Sequence, residues 1–497
     1  MNQTIQIYKG DSVIIALTDL PKGTTLSYEG GEVTLLEDIK KGHKIAIKDI
    51  AAGEDVIKYG YSIGKAKCDI QKGQWIHTHN LGTGLGEILH YDHVKVTGSD
   101  LKVTGSDDTF DGYVRENGSV GIRNEIWVIN TVGCINKTAE LIVKTANAQF
   151  KGRCCDGIFT FPHPFGCSQL GEDHQNTQKI LANLINHPNA GAVLVLGLGC
   201  ENNHIKGLKP LIGEQPEGRV AYLECQKCAD EVSESLAILE KLIDYASQFK
   251  RQPVNVSKLV VGMKCGGSDG FSGITANPLV GAFSDKLIAN GGSTVLTEVP
   301  EMFGAETILM QRACSRQVFD ETVDLINNFK EYYVRHNQVV YENPSPGNKE
   351  GGITTLEEKS LGCVQKGGFA PVMDVIPYTG RVTKHGLTLQ SAPGNDLVAS
   401  TAVTAAGCQL VLFTTGRGTP FGAPVPTAKI ATNSDIYKLK KHWFDFNAGE
   451  IAEGKPISEL ADQLYRYVID LASGRVRTQN EVNDFREISI FKDGVVL

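Results

Sequence analysis

From about residue 113 onward, short unbroken apolar runs each end in a loop of glycine and small polar side chains. Leu259-Val260-Val261-Gly262-Met263 runs into Cys265-Gly266-Gly267-Ser268-Asp269-Gly270-Phe271-Ser272-Gly273-Ile274-Thr275-Ala276-Asn277-Pro278. Ala192 to Leu196 runs into Gly197-Leu198-Gly199-Cys200-Glu201-Asn202-Asn203-His204, and Gly157 to Phe161 into Pro162-His163-Pro164-Phe165-Gly166-Cys167-Ser168-Gln169. Leu410 to Phe413 runs into Thr414-Thr415-Gly416-Arg417-Gly418-Thr419-Pro420. Runs without alternation predict strands covered on both faces. Between them, Thr177 to Asn186 and Val232 to Phe249 carry helical periodicity. Strand, polar loop and helix in repetition predict an α/β fold with mostly parallel sheets and function at the loop edge.

The first 95 residues follow another pattern. Short β-type runs, Ser12 to Leu17, Val33 to Leu36, His43 to Ile47 and Val56 to Tyr59, alternate with turns. The turns share a form: Leu20-Pro21-Lys22-Gly23, Ile39-Lys40-Lys41-Gly42, Ile50-Ala51-Ala52-Gly53 and Ile70-Gln71-Lys72-Gly73. This predicts a small all-β module over residues 1–95. A duplicated polar tract, Lys95 to Asp100 and Lys102 to Asp107, reads as a linker over 96–112. An α/β domain over 113–250 follows. A seam at Arg251-Gln252-Pro253 opens a C-terminal α/β domain over 251–497.

Composition removes several function classes. A net charge of −8 over 497 residues gives no electrostatic footprint for nucleic acid. No apolar run reaches the ~20 residues that span a bilayer, and the N-terminus lacks a secretory pattern. The expectation is a cytoplasmic protein whose 12 cysteines are thiols, ligands or core residues rather than disulfides.

These motifs together resemble the altronate/galactarate dehydratase family. In the β module the resemblance rests on Gly42-His43-Lys44, Val56-Ile57-Lys58-Tyr59-Gly60, Ile63-Gly64 and His77-Thr78-His79-Asn80, which look like the family's SAF domain. In the large region it rests on the loops quoted above and on Glu298 to Glu306, Asn343 to Asn348 and Ser391-Ala392-Pro393-Gly394-Asn395-Asp396. The resemblance implies a hydro-lyase of hexuronate catabolism that removes water from a sugar acid with Fe2+, or a similar divalent ion such as Mn2+. D-Altronate, giving 2-dehydro-3-deoxy-D-gluconate, is the leading substrate. Galactarate is the alternative within the family, and a non-catalytic sugar-acid binding protein the alternative outside it.

Such an elimination needs a Lewis acid for the charge that builds on the carboxylate, a base for the C2 proton and an acid for the leaving hydroxyl. His77 and His79, two apart on a strand, could share one ion. The rival ligands are Cys134, Cys167, Cys200 and Cys265, which precede or open loops and could hold an iron–sulfur cluster. For proton transfer the candidates are His163 and His174, with Asp173 as partner. Ser268, Asp269, Thr275, Asn277 and Asn395 are expected to read substrate hydroxyls, and Arg417 to clamp the carboxylate. Lys359, after two glutamates, reads as surface charge. Neither half looks sufficient alone. A composite site is expected, closed by the module from the same chain or from a partner copy in a homodimer.

Overall fold

The computed structural model describes residues 3–86, 89, 91, 103–153 and 155–497. The first copy of the duplicated tract therefore lies outside the described residues.

The N-terminal module is built from antiparallel strands. Thr4–Ile5, Val13–Ala16, Lys44–Ala46 and Trp75–Ile76 form one sheet. Asp55–Lys58, Tyr61–Ala66 and Leu81–Gly82 form another, and Thr25–Tyr28 pairs with Gly31–Thr34. The repeated turn is a structural repeat. Leu20 bridges to Ile39 and Ile50 to Ile70, so the residues that open the turns pair with one another. The glycines that close them, Gly23, Gly42, Gly53 and Gly73, have φ of 83°, 83°, 84° and 92°, where a side chain is strained. At Gly73 a Cβ would also lie 2.2 Å from the Thr34 carbonyl oxygen.

The middle region holds a four-stranded parallel sheet in the order Ile158–Thr160, Glu125–Asn130, Ala190–Gly197, Val220–Glu224. One face is covered by helices Asn136–Gln149 and Glu231–Ala246. Helices Gly171–Ile185 and Ile205–Ile212 cover the other and pack into a core shared with helix Asp396–Ala405.

The C-terminal region is a seven-stranded parallel sheet ordered Val372–Ile376, Gly386–Gln390, Ser293–Leu296, Val260–Cys265, Leu410–Thr415, Thr427–Ala431, Phe446–Asn447. The chain winds one way from Val260–Cys265 and returns to add Leu410–Thr415 on its other side. The crevice beyond the carboxyl ends of those two strands is the switch point where such sheets bind ligands. The tract read as a seam is itself a strand: Arg251–Asn255 pairs antiparallel with Thr109–Val114, which begins inside the span read as linker.

Candidate active site

Four segments meet at that crevice. Strand Val260–Cys265 ends in Cys265 and the glycine loop. After strand Ser293–Leu296 the chain turns sharply through Glu298, a non-glycine residue at φ 69°, ψ 56°, a conformation that costs about 1–3 kcal/mol. Glu298 is held there because its carboxylate accepts the Cys265 N–H (2.9 Å) and pairs with Lys264. The turn delivers Glu301. The loop after Gly386–Gln390 supplies Asn395 and Asp396 at the start of helix Asp396–Ala405. Helix Leu356–Cys363 supplies Lys359 and Cys363.

Cys265, Glu301 and Cys363 turn their ligand atoms toward one point. Cys265 Sγ is 3.0 Å from Glu301 Oε2 and 3.3 Å from Cys363 Sγ, and Cys363 Sγ is 3.1 Å from the same oxygen. This is the one such group of His, Cys, Asp or Glu among the described residues, and all three are buried. Two soft thiols and a carboxylate make a donor set that fits a thiophilic divalent ion. Charge balance fits as well. Lys264, Lys359 and Lys366 offset Glu298, Glu301 and Asp396. Two thiolates would then match one divalent cation.

The lysines set the charge states. Lys366 Nζ lies 2.9 Å from Cys265 Sγ. Burial works against its charge, but Cys265 and Glu298 outweigh burial and hold its pKa well above the ordinary lysine value. Burial also opposes ionisation of Glu301, yet Lys359 (2.8 Å), Lys264 and Lys366 hold its carboxyl well below the usual range. Glu298 is pushed up, by burial first and by Glu301 second. Hydrogen bonding to Cys265, then burial, raises the Cys363 thiol.

Cys265, Glu301, Lys359, Asn395 and Asp396 line a cavity of about 610 Å³, with Asn343, Ser345 and Asn348 on another wall. Lys359 is the one lysine or arginine among its described lining residues. Asp396, paired with Lys264 at 2.8 Å, keeps its side chain one-third exposed toward the opening.

The N-terminal module packs against the far side of the helix that carries Lys359. Lys44 and Lys58, both buried, converge on Glu358 at 2.8 Å each. Lys44 also donates to the Gly352 carbonyl and to Thr354 Oγ1. Glu357 Oε1 accepts from Thr83 Oγ1 and from the Gly84 and Leu85 N–H groups.

Three family profiles match in succession: the altronate/galactarate dehydratase SAF domain over residues 2–84, the D-galactarate dehydratase/altronate hydrolase second domain over 112–247, and the D-galactarate/altronate dehydratase C-terminal domain over 256–496. An altronate dehydratase of Bacillus subtilis (strain 168) is 52% identical over the whole of both chains. The chain belongs to the altronate/galactarate dehydratase family. An altronate dehydratase of Escherichia coli (strain K12) is 49% identical, again over the whole of both chains. A galactarate dehydratase (L-threo-forming) of the same organism is 33% identical over 95% of this chain and 93% of its own.

Against this cavity, the residues singled out in the sequence fall into three groups. Cys265 and Asn395 line the cavity. Ser268, Asp269, Thr275 and Asn277 are buried outside the cavity lining. Asp269 accepts from Ser272, Thr432 and Asn433, Asn277 bonds Gly362 and Thr414, Thr275 bonds Phe271 and Thr432, and the Ser268 carbonyl accepts from Asn348. Burial forces these polar groups to satisfy one another. The remainder lie elsewhere. Arg417 is outside the cavity lining, bonded to the Gly347 carbonyl and Glu350. His77 packs on Trp75; its Nδ1 accepts the Thr78 N–H and its Nε2 donates to the Lys349 carbonyl. His79 lies exposed on the same indole. His163 is buried, donating to the Asn130 carbonyl and accepting from Phe165 N–H, and burial lowers its pKa. Asp173 accepts the Asp493 and Gly494 N–H groups, and the neighbouring His174 lies in the first turn of the same helix, Gly171–Ile185.

Lys359 corrects the reading of surface charge: it is buried and bonds Glu301. Glu301, Cys363, Lys366 and Asp396 were not singled out as site residues. Helix Leu356–Cys363 could have signalled its role, because a helix buried all round that carries two glutamates and a lysine must pair them.

Proposed function

We propose that the cavity binds D-altronate and eliminates water to give 2-dehydro-3-deoxy-D-gluconate. The observation that carries the choice of substrate is that Lys359 is the one lysine or arginine among the described residues lining the cavity. An aldonate has one carboxylate to clamp and ends in a hydroxymethyl group. Galactarate would bring a second carboxylate into a cavity whose other lining charges include Glu301, Glu342 and Asp396. The stronger likeness to the two altronate dehydratases supports the same reading.

Lys359, protonated beside Glu301, receives the substrate carboxylate. Asn343, Ser345, Asn348 and Asn395 offer hydrogen bonds to the hydroxyls. Asp396 is the base: a reachable carboxylate at the helix start, oriented by Lys264, that takes the C2 proton and returns it to the departing C3 hydroxyl, which leaves as water. Cys265, Glu301 and Cys363 would hold ferrous iron, their two thiolates weighing against manganese. When bound, the ion supplies Lewis acidity to substrate oxygens.

The test is formation of 2-keto acid from a panel of aldonates and aldarates after chelation and reloading with Fe2+, Mn2+ or Zn2+. Turnover of altronate with iron is expected. Turnover of galactarate in preference overturns the substrate, and equal activity in the chelated protein overturns the metal.

A further inference from the structure

The middle sheet carries three cysteines that the site above does not use. Three neighbouring strands of its four each run into a cysteine-bearing loop. Cys134 follows Glu125–Asn130, Cys167 follows Ile158–Thr160 and Cys200 follows Ala190–Gly197. These strands are hydrogen-bonded neighbours, so the three loops leave the same carboxyl edge side by side.

Cross-loop hydrogen bonds fix them together within one to three residues of each cysteine. Gly133 N–H donates to the Phe165 carbonyl, and Asn203 N–H to the Gly166 carbonyl. Ser168 N–H donates to Asn202 Oδ1, Thr131 Oγ1 to Glu201, and Asn203 Nδ2 to the Thr131 carbonyl. Gly166 is so close to the first loop that a Cβ there would lie 2.0 Å from the Thr131 carbonyl oxygen. All three cysteines are nonetheless exposed. Two already receive donors, Cys167 from Ser168 Oγ and Cys200 from Gln226 Nε2.

The surrounding polar shell is incomplete. Gln169 Nε2, two residues from Cys167, is a buried donor without a partner. Asn130 Oδ1 and Asn203 Oδ1, which border the same loops, are likewise unpaired. Buried polar groups rarely stay unsatisfied, and a group of them marks a place for a water or a ligand.

We propose that Cys134, Cys167 and Cys200 bind an iron–sulfur cluster, separately from the Cys265–Glu301–Cys363 centre. Three thiolates supply three corners of a cubane cluster and leave its fourth iron for an external ligand. Binding a preformed cluster exchanges three S–H protons for three S–Fe bonds, with no electron transfer. Amide and hydroxyl donors beside the sulfurs are the groups that tune such clusters.

The experiment uses the full chain, purified without oxygen and incubated with ferrous and ferric iron in equal amounts and with sulfide, so that the cluster assembles without an added oxidant. The expected result is about four iron and four acid-labile sulfide per chain above any mononuclear iron, with a broad visible absorbance. Cys134→Ser, Cys167→Ser and Cys200→Ser each lose the labile sulfide, while Cys314→Ser, an exposed control, keeps it. Should a variant fail to fold, protection of the wild-type thiols from alkylation, read by mass spectrometry before and after chelation, gives the answer. Protection confined to these three cysteines supports the proposal. Iron without labile sulfide, or sulfide lost only in Cys265→Ser or Cys363→Ser, overturns it.

Discussion

Glu358→Gln removes one negative charge from between two buried ammonium groups, and the structure sets the size of the effect. Glu358 is 2% exposed, Lys44 0% and Lys58 1%. Burial alone would raise the Glu358 pKa, but Lys44 and Lys58 outweigh it and hold it down to about 2, against an ordinary 4.5. That gap corresponds to about 3 kcal/mol. Breaking one member of a buried ion set costs about 3–5 kcal/mol by another route, because the partners remain buried and unpaired. Burial likewise lowers Lys44 to about 8 despite Glu358, so Lys44 has little tolerance for losing its partner. The sign for the carboxyl follows from its depressed folded value. Its stabilisation is complete above about 4.5 and is lost as pH falls toward about 2. Urea unfolding of wild type and Glu358→Gln at pH 7, with the β module followed by hydrogen exchange, should show a loss of about 3 kcal/mol centred on the docked module. Between pH 4.5 and 2, the variant should lack the wild-type decline that this carboxyl contributes. A variant within about 0.5 kcal/mol of wild type at pH 7, the range of an ordinary surface change, would refute the reasoning.

Lys359→Met should lower kcat/KM for altronate by at least about 100-fold through loss of the carboxylate clamp; an unchanged value removes Lys359 from binding. Cys363→Ser should weaken iron binding at the Cys/Glu/Cys centre by more than the roughly 10–100-fold that loss of a supporting hydrogen bond costs, measured by competition with a chelator. Gly266→Ala would place a Cβ 2.6 Å from both Asp396 carboxylate oxygens. A fall in kcat on the order of 100-fold is expected as the base is displaced, and wild-type kcat in a folded variant removes Asp396 from proton transfer.

The strands and helices were legible because each apolar run is short, unbroken and closed by glycine. The runs at 192–196 and 410–413 lie within strands Ala190–Gly197 and Leu410–Thr415. The glycine loop at 265 was legible as a site wall for the same reason. Its polar side chains were less so, since residues such as Asp269 and Asn277 point into the protein and satisfy neighbours distant in sequence. Glu301 and Cys363 were invisible singly: they are 62 residues apart, and only the sheet order brings them together. Arg417 has the residue type of a carboxylate clamp, but its loop directs it toward Glu350.

Helix Leu356–Cys363 has a bearing on synthesis as well as on catalysis. Lys44 and Lys58 leave the ribosome early, whereas Glu358 follows 314 and 300 residues later. At 5–20 residues per second, the two lysines wait about 15–60 s for their counter-charge. During that interval the module must keep them in water and its docking face open. Lys359 and Cys363 stand on the same helix as Glu358, so docking of the module and placement of these two site residues rest on one element.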